Sequence, residues 1–107
     1  MTTIQVLLIG NDTIIDVARL QDELTGEFVN DAEVSITLVD AAGMEVEGDT
    51  WPKPVPYVDD TDGLYRATLV YTLALVPDGR YTAQLDVDAG AGRRAAWSIA
   101  CVARMRA

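Results

Sequence analysis

Asp62-Gly63-Leu64-Tyr65-Arg66-Ala67-Thr68-Leu69 returns sixteen residues later as Asp78-Gly79-Arg80-Tyr81-Thr82-Ala83-Gln84-Leu85. In both copies Asp-Gly predicts a tight turn, because glycine tolerates positive φ and aspartate can bond its own downstream backbone. The residues that follow alternate, so Tyr, Ala and Leu share one face of a strand. Two such units so close together predict an antiparallel β fold.

Working outward, residues 4–9 (Ile-Gln-Val-Leu-Leu-Ile) read as a first strand, closed by Gly10, Asn11 and Asp12. Residues 13–20 form a second β-branched segment. Residues 33–39 are the cleanest alternator, with Val34, Ile36 and Leu38 on one face and Glu33, Ser35 and Thr37 on the other. Met44 to Val46 reads as a short return strand. Trp51-Pro52-Lys53-Pro54-Val55-Pro56-Tyr57-Val58 differs in kind: prolines at every second position remove donors, so it must be a protected edge or a crossing between sheets. Residues 64–75 read as one long strand, and residues 80–87 as another with Tyr81, Ala83, Leu85 and Val87 inward. Residues 88–92 are a Gly-rich hairpin loop. Residues 95–105 form the last strand, with Trp97, Ile99, Cys101 and Ala103 on a common, core-directed face. No segment has a capped helical period. Seven to eight strands with regular turn signals predict a single all-β domain, an immunoglobulin-like antiparallel sandwich spanning residues 1–107.

The net charge is −9, and all seventeen acids lie at or before Asp88. Eight basic residues on so acidic a chain argue against nucleic acid as a partner. Four of those eight, Arg93, Arg94, Arg104 and Arg106, follow Asp88. The basic end either pairs with acids of its own chain or docks on the acidic face of a neighbour. Cys101 is the only cysteine, which excludes an intrachain disulfide. The start Met1-Thr2-Thr3-Ile4-Gln5 lacks the basic region of a signal peptide, and the apolar run after it is too short to span a membrane. The expectation is cytoplasmic synthesis, with assembly into a particle or export by another route left open.

Asp22-Glu23-Leu24-Thr25-Gly26-Glu27-Phe28-Val29-Asn30-Asp31-Ala32-Glu33-Val34 resembles the D-x-x-(T/N)-G-x-x-V-x-D/G-A-x-V frame of bacterial Ig-like domains. Asp40-Ala41-Ala42-Gly43-Met44-Glu45-Val46 matches the hairpin that follows it in those domains. Pro77-Asp78-Gly79-Arg80-Tyr81 looks like their tyrosine corner, in which the hydroxyl braces a crossing connection. The resemblance covers about residues 12–87 and departs from antibody-type domains in lacking paired cysteines. It implies an Ig-like sandwich of the kind found in adhesin stalks, carbohydrate-enzyme accessory modules and phage virion parts. A chain with no signal sequence or companion domain looks most like the phage or prophage structural type.

Chemistry is scarce. There is no histidine, which removes the commonest general base and metal ligand. Ser35 and Ser98 fall within strands, and Lys53 lies between prolines. Asp59, Asp60 and Asp62 cluster before Gly63 but lack the spacing of a calcium loop. The expectation is no enzyme, no cofactor and no metal. Trp51 and Tyr57 flank the prolines and could form an aromatic platform for a sugar, the alternative function being a carbohydrate-binding or adhesin-type module. Their other reading is that they anchor the crossing segment on the core.

A protein interface is the better lead. Val6 and Leu8 occupy one parity of the first strand and Leu7 and Ile9 the other, so the strand is apolar on both faces. Either another subunit or virion protein covers one face, or the strand switches between sheets. The expected contact set is Val6, Leu7, Leu8 and Ile9, with Arg104 and Arg106 as electrostatic guides. The expected partner is a protein or a second copy, not a membrane.

Overall fold

The computed structural model describes residues 4–21, 25–90 and 94–105. Within them the chain is all-β, with strands β1 (Ile4–Leu8), β2 (Thr13–Val17), β3 (Glu33–Asp40), β4 (Lys53–Pro54), β5 (Tyr65–Leu69), β6 (Arg80–Asp88) and β7 (Arg94–Arg104). One sheet runs in the order β1-β7-β6-β3-β4 and the other is β2-β5. All ladders are antiparallel except one: β1 runs parallel to β7, with Val6 opposite Val102. The fold is thus antiparallel, as expected, apart from this one pair at the edge of the larger sheet. β1 and β7 are the first and last strands, and such distant pairing leaves no local turn signal.

The alternating strands behave as their patterns require. Val34, Ile36 and Leu38 on β3, and Tyr81, Ala83, Leu85 and Val87 on β6, are buried. They join Ile15, Val17, Tyr65, Ala67 and Leu69 from the smaller sheet in one apolar cluster. Each Leu or Ile placed there is worth roughly 1.5–3 kcal/mol. Among the described residues no polar or charged residue is buried.

The tyrosines that follow the two Asp-Gly turns each brace a connection through the hydroxyl, while the Gly63 N–H itself donates to Asn30 Oδ1 at 2.8 Å. The Tyr65 hydroxyl donates to Val29 O at 2.8 Å and accepts from Ala32 N–H at 3.1 Å. The Tyr81 hydroxyl accepts from Val76 N–H at 2.8 Å, bracing the connection into β6. The glycines differ in use. Gly63 has φ +70°, and a Cβ there would stand 2.5 Å from Leu20 N. In the second turn Asp78 takes the left-handed conformation, at φ 61°. Gly79 instead keeps room for the Val76 carbonyl, which a Cβ would approach to 2.8 Å.

Two expectations fail. Residues 64–75 do not form one long strand: β5 ends at Leu69, opposite Thr13, the first residue of β2. With no partner beyond that point the chain turns, and the Asp12 carboxylate accepts from Tyr71 N–H at 2.8 Å. Trp97 is not a core residue but 37 % exposed. β1 begins opposite Ala100, so residues 94–99 of β7 reach past it, with β6 on one side and no described strand on the other. The Met44 to Val46 segment pairs only as a bridge, Glu45 to Val39, with Val46 N–H donating to Leu38 O at 3.0 Å.

The proline segment is both an edge and a crossing. Lys53 and Pro54 pair with β3, and Val55 N–H donates to Val34 O at 2.8 Å. Alternation therefore directs positions 52, 54 and 56 outward, where proline has no N–H to offer. Two residues later Tyr57 bridges Tyr65 in the other sheet.

Candidate functional site

Of the expected contact residues, Val6, Leu8 and Arg104 lie on the outer face of the five-stranded sheet. On β1, Leu7 points inward and is 1 % exposed. It belongs to this chain's own core, so it is not accessible to a partner. Ile9 packs against the same core, and its N–H donates to Arg104 O at 3.0 Å. Val6 and Leu8 lie on the opposite parity with Ile4, and these three are 43 %, 37 % and 50 % exposed. Ile4, which stands outside the expected contact set, shares the parity of Val6 and Leu8 and so lies on the exposed face.

Register carries this apolar row across the sheet. Ile4, Val6 and Leu8 stand opposite Ala100, Val102 and Arg104 on β7, and Val102 stands opposite Arg80 on β6. Arg80 and Arg104 thus share the outer face at one end of the strands. Arg104 pairs with the Asp78 carboxylate. Arg106 lies outside the described residues.

At the other end of the same face is an open depression of about 850 Å³. Ser35, Asp86 and Ala96 stand side by side in it, Pro54 borders β3, and Glu33, Asp88 and Arg94 cross its end. Arg94 Nη2 lies 3.1 Å from Asp88 Oδ2. The Gly90 N–H and then Arg94 hold the Asp88 carboxyl below its usual range. Of the basic C-terminal quarter, Arg94 and Arg104 therefore pair within the chain, and Arg93 lies outside the described residues.

The aromatic candidates are turned to structural use. Trp51 packs against the core and its indole N–H donates to Val46 O at 2.7 Å. Tyr57 sits edge-on to Tyr65, ring centroids 5.6 Å apart, and its hydroxyl is bonded to the Thr61 backbone. Both are partly buried, packed against the chain's own core and bonded to its own backbone. Among the described residues no group of three carboxylate or thiol side chains is placed to hold a metal ion, and this includes Asp59, Asp60 and Asp62. Cys101 is buried, burial raises its thiol pKa, and its Sγ donates to Ile99 O at 3.5 Å.

Comparison with protein-family models, with curated proteins and with solved structures returned no match.

Proposed function

We propose that this chain is a non-enzymatic, immunoglobulin-like structural module that works through protein contacts on the outer face of its five-stranded sheet, as a component of a phage or prophage virion. The single observation that carries the reading is the row Ile4, Val6 and Leu8, three large aliphatic side chains held side by side in water by an otherwise well-packed strand. Three features support the Ig-like assignment. The strand order pairs the first strand parallel to the last, the smaller sheet is built from β2 and β5, and the Tyr81 hydroxyl braces the turn before β6. A sugar-binding role would need Trp51 and Tyr57 as a platform, and their bonding to their own chain argues against it.

The virion assignment rests on the resemblance of residues 12–87 to Ig-like domains and is tested directly. Mass spectrometry of particles purified from the encoding organism should find this chain at stoichiometric abundance. Particles that lack it would end the virion assignment.

A further inference from the structure

β7 is longer than the strand beside it. β1 joins it only from Ala100 onward, and residues 94–99 have β6 on one side and, among the described residues, no strand on the other. The direction of their backbone groups follows from the far end of β7. Asp78 N–H donates to Ala103 O and Ala103 N–H donates to Gly79 O, so odd positions of β7 serve the β6 side. Ile9 N–H donates to Arg104 O, so even positions serve the β1 side. Arg94, Ala96 and Ser98 therefore aim their N–H and C=O groups along the open edge.

Sheet edges are ordinarily guarded by proline, by charged side chains or by a bulge. The opposite flank has its prolines at 52, 54 and 56. On β1 the Val6 carbonyl accepts from the Gln5 side chain, and the Leu8 carbonyl accepts from Asn11 N–H. Residues 95–99, Ala-Ala-Trp-Ser-Ile, carry no proline and no charge. Ala95 and Trp97 share the inward parity of Cys101, yet both are exposed. An exposed inward tryptophan beside an unguarded edge is what a sheet short of one strand presents.

We propose that the edge of β7 from Arg94 to Ile99 receives an extended segment of another protein, in line with β1, whose residues alternate between apolar and basic. The segment exchanges amide hydrogen bonds with Arg94, Ala96 and Ser98, and its inward residues cover Ala95 and Trp97. Its outward residues stand beside Ala96, whose other neighbour is Asp86 on β6. Strands lie about 4.8 Å apart, so the newcomer sits two spacings from β6. A lysine or arginine stem laid over the Ala96 methyl carries its charge towards Asp86. Among the described residues Asp86 has no ion-pair partner, and Arg94 is occupied by Asp88. The net charge of −9 draws a basic segment at long range. A second copy pairing through its own residues 95–99 brings no basic side chain to Asp86. The site is separate from the row Ile4, Val6 and Leu8 and stands without the virion assignment.

Titration of the full chain with a capped seven-residue peptide of alternating valine and lysine, followed by amide magnetic resonance, tests it. The expected result is saturable binding, slowed hydrogen exchange at the Ala96 and Ser98 amides, and a shifted Trp97 indole signal. A peptide alternating valine with glutamate should bind at least about ten-fold more weakly. So should a peptide of the first composition with its valines and lysines in separate blocks, which has the charge without the alternation. Asp86→Asn should weaken the valine–lysine peptide about three-fold or more. Ala96→Pro removes an edge-facing N–H and leaves β6 its partners, so it should abolish binding in a chain that far-UV dichroism shows to be folded. An N-methylated valine–lysine peptide should also fail to bind, and it requires no change in the protein. Absence of saturable binding overturns the proposal. So do equal affinities for the three peptides, unchanged affinity in Asp86→Asn, or binding retained by the N-methylated peptide or by folded Ala96→Pro. A peptide-free chain that dimerises with slowed exchange at Ala96 and Ser98 would give the edge to a second copy and overturn it as well.

Discussion

The phenolic hydroxyl of Tyr65 donates to the carbonyl of Val29, thirty-six residues earlier in the chain, from a side chain with no solvent exposure. The same oxygen accepts from Ala32 N–H, so one atom closes the loop that leads into β3. Tyr65→Phe keeps the ring and strands two backbone groups. The expected loss is about 1–3 kcal/mol in urea unfolding, with an unchanged denaturant slope. Tyr81→Phe removes one bond to a partly exposed amide and should cost about 1 kcal/mol or less.

Burial raises the Tyr65 pKa, with the Ala32 N–H bond partly opposing it and Asp31 adding to it. The unfolded chain therefore releases this proton first. The resulting contribution to stability is complete below the unfolded value of about 10 and is lost as pH rises through the folded value. Thermal melts of the wild type should fall more steeply above about pH 10 than those of Tyr65→Phe. Parallel curves would exclude Tyr65 as the source.

The glycines separate into two classes. Gly63→Ala drives a Cβ to 2.5 Å from Leu20 N and 2.6 Å from Leu20 O at a φ of +70°, and should cost more than about 3 kcal/mol. Gly43→Ala meets nothing within 4 Å and carries only the left-handed penalty of about 1–2 kcal/mol. Calorimetric midpoints of the two variants should differ by several degrees or more.

The parity of β1 is testable by neighbouring substitutions. Leu7→Ala removes a fully buried side chain and should lose about 2–5 kcal/mol. Val6→Ser, on the exposed face, should stay within about 0.5 kcal/mol in the monomer. Equal losses would mean that β1 does not hold this register.

Cys101 should resist modification. Its thiol is buried, and burial disfavours the reactive thiolate. Labelling of the native chain with an aromatic disulfide reagent should be slow and should become fast on unfolding; rapid native labelling would contradict this packing.

What could be read from the residues was whatever alternation and turn chemistry determine within a few positions. β3, β6 and both tyrosine turns are of that kind, because their patterns refer to immediate neighbours in the chain. The end of β5 was not legible, since residues 70–75 are apolar enough to continue a strand. They stop pairing only because β2 supplies no residue before Thr13. Trp97 follows the inward alternation of β7 correctly, but its burial depends on distant strands, and among the described residues β1 pairs with β7 only from Ala100 onward. The contact face was half legible for the same reason. An apolar run leaves open whether one parity faces a partner or the strand switches between sheets, and only the parallel pairing to β7 shows which neighbours surround it.

The prolines at 52, 54 and 56 make the molecule's two flanks unequal recognition surfaces. A polypeptide approaching alongside β4 meets pyrrolidine rings that carry no N–H, so it can be read there by shape and ring stacking but cannot continue the ladder with the usual exchange of amide protons. Lateral growth of the five-stranded sheet is thereby opposed on that flank, and a chain that extends this sheet through its backbone has to add on the side of β1 and β7.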